Sequence, residues 1–349
     1  MIEVIKDKKG WREQIAMVKY SDFYHSYDYH HLSRNDDELP ILIKYTDGLT
    51  SFLLPLMLRD IENTDYKDVT SVYGYAGILI LNIEEGFKKE NFQQELNTFF
   101  YNNNVVAVFS RLHPFLDDQE TLHEGLGNIT TLGKVVYKDL SDPLDKQRAE
   151  YNRRLKTYLN KSRKLCTVID GTAEDHLEAF IELYIDNMKR VNADSSYFFS
   201  NDYFYKLMSS NDINTELLVC IHNETQKIIA GAFFIKTGNI VQYHLSGLSE
   251  DYFELNPIKL IIDEMRIRST HEGYKYFNLG GGKDSKEDSL FKFKSGFSKN
   301  FRDFKIWKYV VNESVYRELT KKHLGKDSVT DLYNKEFFPA YRKKLPVGN

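Results

Sequence analysis

The sequence predicts an α/β protein with mixed sheets, built from two similar domains in tandem. A length of 349 residues suits two domains of ordinary size. In the first half, two apolar runs flank Asp47-Gly48, which is typical of a β-hairpin. In the second half the same order of strands, turn and helix occurs again, and a repeated pattern indicates a duplicated fold.

In the first half, the elements follow from apolar runs and their spacing. The hairpin strands are Pro40 to Tyr45 and Ser51 to Leu58, and an extended run follows from Val69 to Leu81. Phenylalanines at helical spacing then predict a helix from Glu85 to Tyr101. The closing strand runs from Val105 to Phe109.

The second half repeats this order around a turn-rich segment and a proline-led helix. Pro257 suits the first position of a helix, because its missing N–H would be unpaired there. The predicted hairpin strands are Leu217 to Ile221 and Ile228 to Lys236, and the third strand is Ile240 to Leu245. The predicted helix is Ile258 to His271, and the closing strand is Tyr274 to Leu279.

A basic helix from Asp145 to Lys164 separates the two patterns. It carries eight Lys or Arg residues against Asp145 and Glu150, and an apolar stripe at helical spacing predicts one buried face. We therefore predict an N-terminal domain at 1–144, a C-terminal domain at 145–311 that opens with this helix, and a helical tail at 312–349. The tail is predicted as two helices, Glu313 to Leu324 and Ser328 to Glu336.

Composition excludes several classes of protein. The net charge of −4 and the pI of about 6.2 argue against a protein that binds nucleic acid over its whole surface, although a local basic patch stays open. Two cysteines fit neither a disulfide scaffold nor a metal motif, and His30-His31 lacks other metal-ligand residues, so we expect no metal. We expect a cytoplasmic location, because no signal peptide and no apolar run of ~20 residues is present.

Both halves of the chain contain short motifs in a definite order. They are F-Y-H-S at Phe23, Y-G-Y-A-G at Tyr73, R-L-H-P at Arg111, D-L-S at Asp139, M-K-R-V-N-A at Met188, Y-H-L-S-G at Tyr243, G-Y-K-Y-F-N-L-G-G at Gly273 and F-K-S-G-F at Phe293. Each motif is weak alone. Their order and spacing together resemble the Fem family of aminoacyltransferases within the GNAT acyltransferase superfamily.

The resemblance implies two tandem GNAT-like domains and transfer of an acyl or aminoacyl group to an amine of a cell-envelope precursor. The acceptor would be a small or lipid-linked molecule, with peripheral membrane contact in the second case, and no cofactor is expected to be tightly bound. The donor is acyl-CoA or another acyl thioester, or aminoacyl-tRNA, which would make tRNA a partner. The loop before Pro257 has acidic residues and no glycine, which argues against the usual CoA site, while the acidic net charge argues against tRNA.

Three residues are predicted to be catalytic. Lys294 matches the family's F-K motif and would stabilise a carbonyl oxygen or a phosphate; the alternative is a surface lysine on a strand, whose face Lys292 would share. On the third strand of the second domain, strict alternation puts Gln242, His244 and Ser246 on one face and Tyr243 on the other. His244 is predicted as a base, with a structural histidine as the alternative, and Tyr243 is the third candidate.

The remaining candidates are predicted to bind substrate. Arg190 would hold a phosphate or carboxylate, or else only cap its helix, and Arg154 on the basic helix would contact phosphates, or else only face solvent. Gly281 lies in a triple-glycine turn that allows close approach of the backbone and leads to Lys294. The other candidates, each with core packing or a structural role as the alternative, are Ser246, Tyr73, Tyr75 and Arg111.

Two other functions fit the same sequence. The altered loop before Pro257 would also suit a catalytically inactive GNAT-fold binding protein in surface-polysaccharide or peptidoglycan assembly. A protein that binds nucleic acid would require a continuous basic stripe on its surface.

Overall fold

The chain forms two compact units, and each contains both parallel and antiparallel strand pairs. A computed structural model describes residues 1–325, 332–333 and 337–345. Unit 1 comprises Met1–Leu132 together with Asp303–Asn349, and unit 2 comprises Gly133–Arg302. The units are defined by contacts in space, whereas the predicted domains at 1–144, 145–311 and 312–349 divide the chain along its sequence and stay a prediction.

The strands alternate with helices along most of the chain. The strands are β1 (Ile2–Ile5), β2 (Glu38–Asp47), β3 (Thr50–Asp60), β4 (Lys67–Thr70), β5 (Leu79–Asn82), β6 (Val105–Arg111), β7 (Asn128–Asp139), β8 (Cys166–Asp170), β9 (Asn214–His222), β10 (Ile228–Thr237), β11 (Ile240–Leu248), β12 (Tyr276–Gly280) and β13 (Asn300–Val310).

The helices are mostly short, and none in the described ranges is both long and apolar enough to cross a membrane. They are α1 (Lys8–Ala16), α2 (Tyr27–Ser33), α3 (Lys89–Asn102), α4 (Gln119–His123), α5 (Leu144–Ala149), α6 (Arg153–Leu165), α7 (Glu174–Arg190), α8 (Asn201–Ser209), α9 (Pro257–His271), α10 (Ser289–Lys294) and α11 (Glu313–Leu324).

Unit 1 is built on a sheet with the strand order β1-β2-β3-β4-β6-β13, and β5 also pairs with β3. Only β4 and β6 are parallel among these pairs, and α3 lies between them along the chain. Parallel neighbours need a crossover connection, which this helix provides. Its buried residues Phe92, Leu96 and Phe100 pack on the sheet and form the main core of the unit.

Unit 2 repeats this arrangement with the order β7-β12-β11-β10-β9-β8. Here β11 and β12 are the parallel pair, and α9 is the crossover helix. Helices α6 and α9 cover one face of the sheet, where Leu159 and Met265 are fully buried. Helices α7 and α8 pack on the other face, where Phe180 and Phe204 contact Phe233. The predicted α/β class with mixed sheets is confirmed.

Two predicted elements are each divided in the structure. The extended run predicted at Val69 to Leu81 is two strands, β4 and β5, because Gly74 and Gly77 have φ angles of 111° and 58° that break the strand. The basic helix predicted at Asp145 to Lys164 is two helices, α5 and α6. The helix is interrupted at Asn152, because the Asn152 side chain caps the start of α6 by accepting a hydrogen bond from the Leu155 N–H at 2.8 Å. The predicted tail helix Ser328 to Glu336 lies mostly outside the described residues.

Unit 1 buries several histidines as neutral rings. Burial lowers the pKa of His25 and of His123 to about 3 and that of His30 to about 4. The ring of His123 stacks on Trp307 with 4.0 Å between the centroids. Because these rings do not take up a proton inside the fold, acid conditions favour the unfolded chain.

We predict that stability falls as the pH drops below about 6.5, where histidines of the unfolded chain become protonated. Each buried histidine contributes about 1.4 kcal/mol per pH unit to this loss until the pH reaches its folded pKa. The free energy of unfolding, measured by urea titration between pH 7 and pH 5, should depend less steeply on pH in His123→Phe. The same change at His271, which is exposed at the end of α9, is the control. An equal slope in wild type and His123→Phe would contradict the prediction.

Candidate functional site

The parallel strands β11 and β12 pair over only three positions, from Ile240–Tyr276 to Gln242–Asn278. Beyond them β11 bulges: Tyr243 pairs with Phe234 of β10 and Leu245 pairs with Phe233, so His244 is an extra residue. The register between β12 and β7 also shifts, between Asn278 and Gly280. Regular pairing of β11 and of β12 with their neighbours therefore ends at about the same height in the sheet, just after the Gln242–Asn278 pair.

The bulge overturns the predicted faces of β11. Strict alternation placed Ser246 with His244, but an extra residue shifts all later side chains to the opposite face. Ser246 therefore lies on the face of Tyr243, and the two hydroxyls are hydrogen-bonded at 2.5 Å. His244 lies within 3.1 Å of the Tyr203 hydroxyl through its Nε2 atom, and Tyr203 belongs to α8 on the other face.

Lys294 ends a short helix, α10, and not a strand as predicted. The alternation F-K-F-K suggested a strand, but the Asp288 side chain accepts a hydrogen bond from the Phe291 N–H at 2.9 Å and starts a helix. Residues two apart point to different sides of a helix. Lys292 is accordingly exposed and Lys294 is buried, so the two do not share a face.

The side chain of Lys294 connects α10 with the ends of β11 and β12. Its ammonium donates a hydrogen bond to the Gly281 carbonyl at 2.7 Å and lies 5.9 Å from the centre of the Tyr243 ring. Only 8% of the residue is exposed. The structure thus brings together four predicted residues, Lys294, Gly281, Tyr243 and Ser246, which we call the lysine cluster.

The environment of this cluster shifts two pKa values. Burial lowers the pKa of Lys294 to about 8, although the charge of Asp288 opposes the shift. Burial also raises the pKa of Tyr243 to about 12, against the effect of its hydrogen bond to Ser246. At neutral pH the cluster therefore holds a cation with a reduced proton affinity beside two neutral hydroxyls that can donate protons.

Two buried amides fix the strand ends that carry the cluster. The Asn278 amide donates to the Gln242 side-chain oxygen at 2.8 Å and accepts from the Gly280 N–H at 3.0 Å. Gly280 has a φ of 75°, in the left-handed region that favours glycine. Gly281 follows, where a Cβ atom would lie 3.0 Å from the Lys134 carbonyl. The predicted close approach of the backbone is present at this turn.

A second group of cations lies beside α10 and was only partly predicted. The Arg154 Nε donates to the Tyr158 hydroxyl at 2.5 Å, and the Lys259 ammonium lies 4.5 Å from the same ring and 5.8 Å from the Phe293 ring. Lys259 also donates to the Asn256 side chain. Arg154 and Lys259 form no ion pair with a carboxylate in the described part of the chain. We call Arg154, Tyr158, Lys259 and Phe293 the cation–aromatic cluster.

The like charges in this second cluster act on each other. Burial and then the charge of Arg154 lower the pKa of Lys259. Two neighbouring cations held on aromatic rings without a carboxylate suit an anionic ligand. Sequence reasoning missed Lys259, although its place in the first turn of the helix that begins at Pro257 was a usable signal.

A buried carboxylate anchors the helix that carries Arg154. Asp263 of α9 accepts hydrogen bonds from the Tyr151 hydroxyl at 2.7 Å and Arg266 at 2.9 Å, and it pairs with Arg163 of α6. Burial alone would raise the pKa of Asp263, but Arg266, Tyr151 and Arg163 together hold it below its usual value. The exposed basic face of α6 is thereby fixed relative to α9.

The remaining predicted residues lie elsewhere. Arg190 is exposed at the end of α7 and donates to the Asn187 side chain at 2.7 Å. In unit 1, Tyr73 is exposed, and the half-buried Tyr75 contacts the edge of Phe304 with 5.1 Å between the ring centres. Arg111 donates to the Ser71 carbonyl at 3.3 Å. Within the described ranges, no three His, Cys, Asp or Glu residues are grouped to hold a metal.

Comparisons with known proteins bear on both the sequence and the fold. The model of the FemAB family matches residues 214–305. The solved structure of FemX is 12% identical and covers 90% of this chain and 99% of its own, with a TM-score of 0.69. The protein has a Fem-like GNAT acyltransferase fold. The predicted tandem GNAT-like architecture is confirmed by a tandem GNAT protein from the clavulanic acid pathway, which is 10% identical, covers 89% of this chain and 99% of its own, and has a TM-score of 0.50.

A third structural match comes from Agrobacterium fabrum. It is the C-terminal domain of a putative lysylphosphatidylglycerol synthetase, 15% identical, which covers 88% of this chain and 92% of its own, with a TM-score of 0.55. Comparison with curated proteins finds no match. The lysine cluster lies wholly inside the segment that matches the FemAB model, whereas Arg154 and Tyr158 precede it. Taken together, the matches establish the fold and a similarity to the FemAB family over residues 214–305.

We predict that Lys294→Met makes this Fem-like protein more stable at pH 7. Keeping a charged lysine buried costs free energy, up to about 3 kcal/mol for a pKa lowered from 10.5 to about 8. The wild type regains this energy between pH 8 and pH 10.5, where only the unfolded chain still binds the proton. The gain in Lys294→Met, measured by urea unfolding, should therefore be largest below pH 8 and vanish above pH 10.5.

The matched control is Lys292→Met, which removes an exposed lysine from the same helix. It should change stability by less than about 0.5 kcal/mol. If Lys294→Met destabilised the protein at pH 7, the buried cation would not carry the assigned cost.

Proposed function

We propose that the protein transfers an acyl or aminoacyl group to an amine of a nucleotide-linked or lipid-linked cell-envelope precursor. The observation that carries the proposal is the buried Lys294 ammonium between the ends of β11 and β12, bonded to the Gly281 carbonyl beside Tyr243. The match of residues 214–305 to the FemAB family and the likeness to FemX support this class of reaction.

The reaction would form a carbon–nitrogen bond and break the bond to the leaving group. The lone pair of the acceptor amine attacks the acyl carbon, negative charge develops on the carbonyl oxygen, and the ester oxygen or thioester sulfur departs with a proton. Lys294 would stabilise the developing charge, since a buried cation acts strongly in a medium that excludes water. Tyr243 and Ser246, whose hydroxyls are hydrogen-bonded, would pass a proton to the leaving group and take up in its place the proton that the amine nitrogen loses.

The proposed donor carries phosphate groups, which the cation–aromatic cluster would bind. The loop between β11 and α9 has no glycine and forms a 3-10 turn at Glu250–Leu255, so a glycine-built backbone cradle is absent from it. Arg154 and Lys259 would bind phosphate with their side chains instead. Both CoA and the 3′ end of tRNA carry phosphates, and the two proposed donors therefore remain acyl-CoA or another thioester, and aminoacyl-tRNA.

The acceptor is proposed to be an amine on a sugar or peptide. Within unit 1, Tyr73, Tyr75 and Arg111 are proposed as contacts for a sugar, base or phosphate, since aromatic faces stack on sugars and bases and an arginine binds phosphate. Arg190 is a further proposed contact for a phosphate or carboxylate. His244 points to the other face of β11, towards Tyr203, and we assign it no chemical step.

We predict that Lys294→Met lowers the rate of transfer by roughly a hundredfold or more, because a group that stabilises an oxyanion contributes about this much. The assay follows a radiolabelled acyl or aminoacyl group from acyl-CoA or from aminoacyl-tRNA to envelope precursors that bear amines. Lys292→Met should retain activity and serves as the control. If the wild type bound precursors but transferred no group from either donor, the binding-protein alternative would replace this function.

We also predict that Arg154→Gln together with Lys259→Gln weakens donor binding by roughly a hundredfold, since each charged hydrogen bond contributes about 1.5 kcal/mol or more. Fluorescence anisotropy with labelled CoA and with a labelled tRNA acceptor stem distinguishes the two donors. Arg153→Gln removes an exposed cation from the same turn of α6 and should have little effect. If it weakened binding as much as the double variant, general attraction and not this cluster would explain the affinity.

A further inference from the structure

The loop from Gly281 to Asp288 is tied together by one side chain. The Asp288 carboxylate accepts a hydrogen bond from the Phe291 N–H at 2.9 Å, which caps α10, and another from the Lys283 N–H at 3.2 Å, near the beginning of the loop. One carboxylate therefore joins the glycine turn after β12 to the helix that carries Lys294.

This closure requires a glycine and strains the backbone. A Cβ atom on Gly282 would lie 2.4 Å from an Asp288 carboxylate oxygen and 2.0 Å from the Lys286 carbonyl. Asp284 and Ser285 have φ angles of 51° and 60°, in the left-handed region, which costs roughly 1–2 kcal/mol per residue. Such strain persists only where surrounding contacts hold it, and the contacts of Asp288 span this loop.

The conformation of this loop determines which groups contact the Lys294 side chain. It presents the Gly281 carbonyl to the Lys294 ammonium at 2.7 Å, from the opposite end of the same loop. Lys294 also faces the Tyr243 ring from β11, and Asp288 is the charge that favours its ammonium form against burial. The backbone N–H groups around Asp288 outweigh the effect of its own burial and lower the pKa of its carboxyl, so Asp288 is ionised at neutral pH.

We propose that Asp288 is the positioning residue of the lysine cluster, which holds the Gly281 carbonyl against Lys294 and keeps Lys294 cationic. The inference rests on the proposed function, because it assigns Asp288 a role through Lys294. Nothing in it requires Asp288 to touch a substrate. Its charge as well as its hydrogen bonds would act on Lys294, and this separates the proposed role from that of an ordinary helix cap.

The test compares Asp288→Asn with Glu287→Gln. Asparagine caps helices as well as aspartate does, so Asp288→Asn keeps an acceptor for the Phe291 N–H. It removes the charge and replaces the oxygen that accepts from the Lys283 N–H by an amide nitrogen. Glu287→Gln removes the neighbouring exposed carboxylate, which lies 3.7 Å from Lys134. Reductive ¹³C-methylation of the lysines, with the Lys294 signal assigned by its absence in Lys294→Arg, allows the pKa of Lys294 to be measured by NMR titration.

We expect the pKa of Lys294 to fall by roughly 0.5 in Asp288→Asn and to stay unchanged in Glu287→Gln. Asp288→Ala, which also removes the cap, should lower the thermal midpoint further than Asp288→Asn. An unchanged Lys294 pKa in Asp288→Asn, or an equal fall in Glu287→Gln, would overturn the proposal. The titration needs no donor or acceptor, so a failure of the proposed function and a failure of this inference can be told apart.

In the transfer assay, activity should fall at alkaline pH as Lys294 loses its proton. In Asp288→Asn this fall should begin roughly 0.5 pH units lower than in the wild type, because Lys294 loses its charge at a lower pH. A structural cap alone would change the amount of folded protein and leave the pH profile in place. A profile identical to that of the wild type, measured on equally folded protein, would therefore also overturn the proposal.

Discussion

The short parallel pairing of β11 and β12 is the constraint on which the candidate site depends. Three residue pairs join the strands, and then a bulge at His244 and the glycine turn after β12 end the regular ladder. A parallel pair that continued would keep its side chains in strict alternation. Because it ends early, Tyr243 and Ser246 share a face, and the Gly281 carbonyl is available to Lys294. The same order of strands in unit 1 shows that the architecture alone does not create this group of side chains.

Much of the fold was predictable because the spacing of apolar residues along the sequence reflects which face of each helix or strand is buried. The hairpins, the two crossover helices and the repeated order of elements all follow from it. The faces of β11 were not predictable, since nothing in Tyr243-His244-Leu245 signals an inserted residue. The helix that ends at Lys294 was missed because F-K-F-K alternates like a strand, while the decisive signal was the capping Asp288 six residues earlier. The sequence therefore predicted which residues form the lysine cluster better than it predicted their geometry.

Unit 2 contains both a buried charge that is fully paired and buried or partly buried cations that lack a paired carboxylate among the described residues. Asp263 is fully buried but surrounded by Arg266, Arg163 and the Tyr151 hydroxyl, so its charge is compensated and joins two helices. Lys294 and Lys259 are instead placed against aromatic rings and carbonyl or amide oxygens. Groups that a fold holds at a cost to its own stability are typical of sites where a ligand supplies the missing interaction. The contrast between these two arrangements argues that the cations serve ligands and not the fold.

Unit 1 is built from two distant parts of the chain, and this affects the order in which it can fold during synthesis. In strand β13, Ile306 to Val310 pair with residues 111 to 107 of β6, about two hundred residues earlier in the chain. Unit 2 is one continuous segment, Gly133–Arg302. A ribosome delivers the chain from its N-terminus, and distant pairings form late because loop closure costs entropy. Strand β6 therefore leaves the ribosome well before β13, and during synthesis its edge stays unpaired until β13 follows.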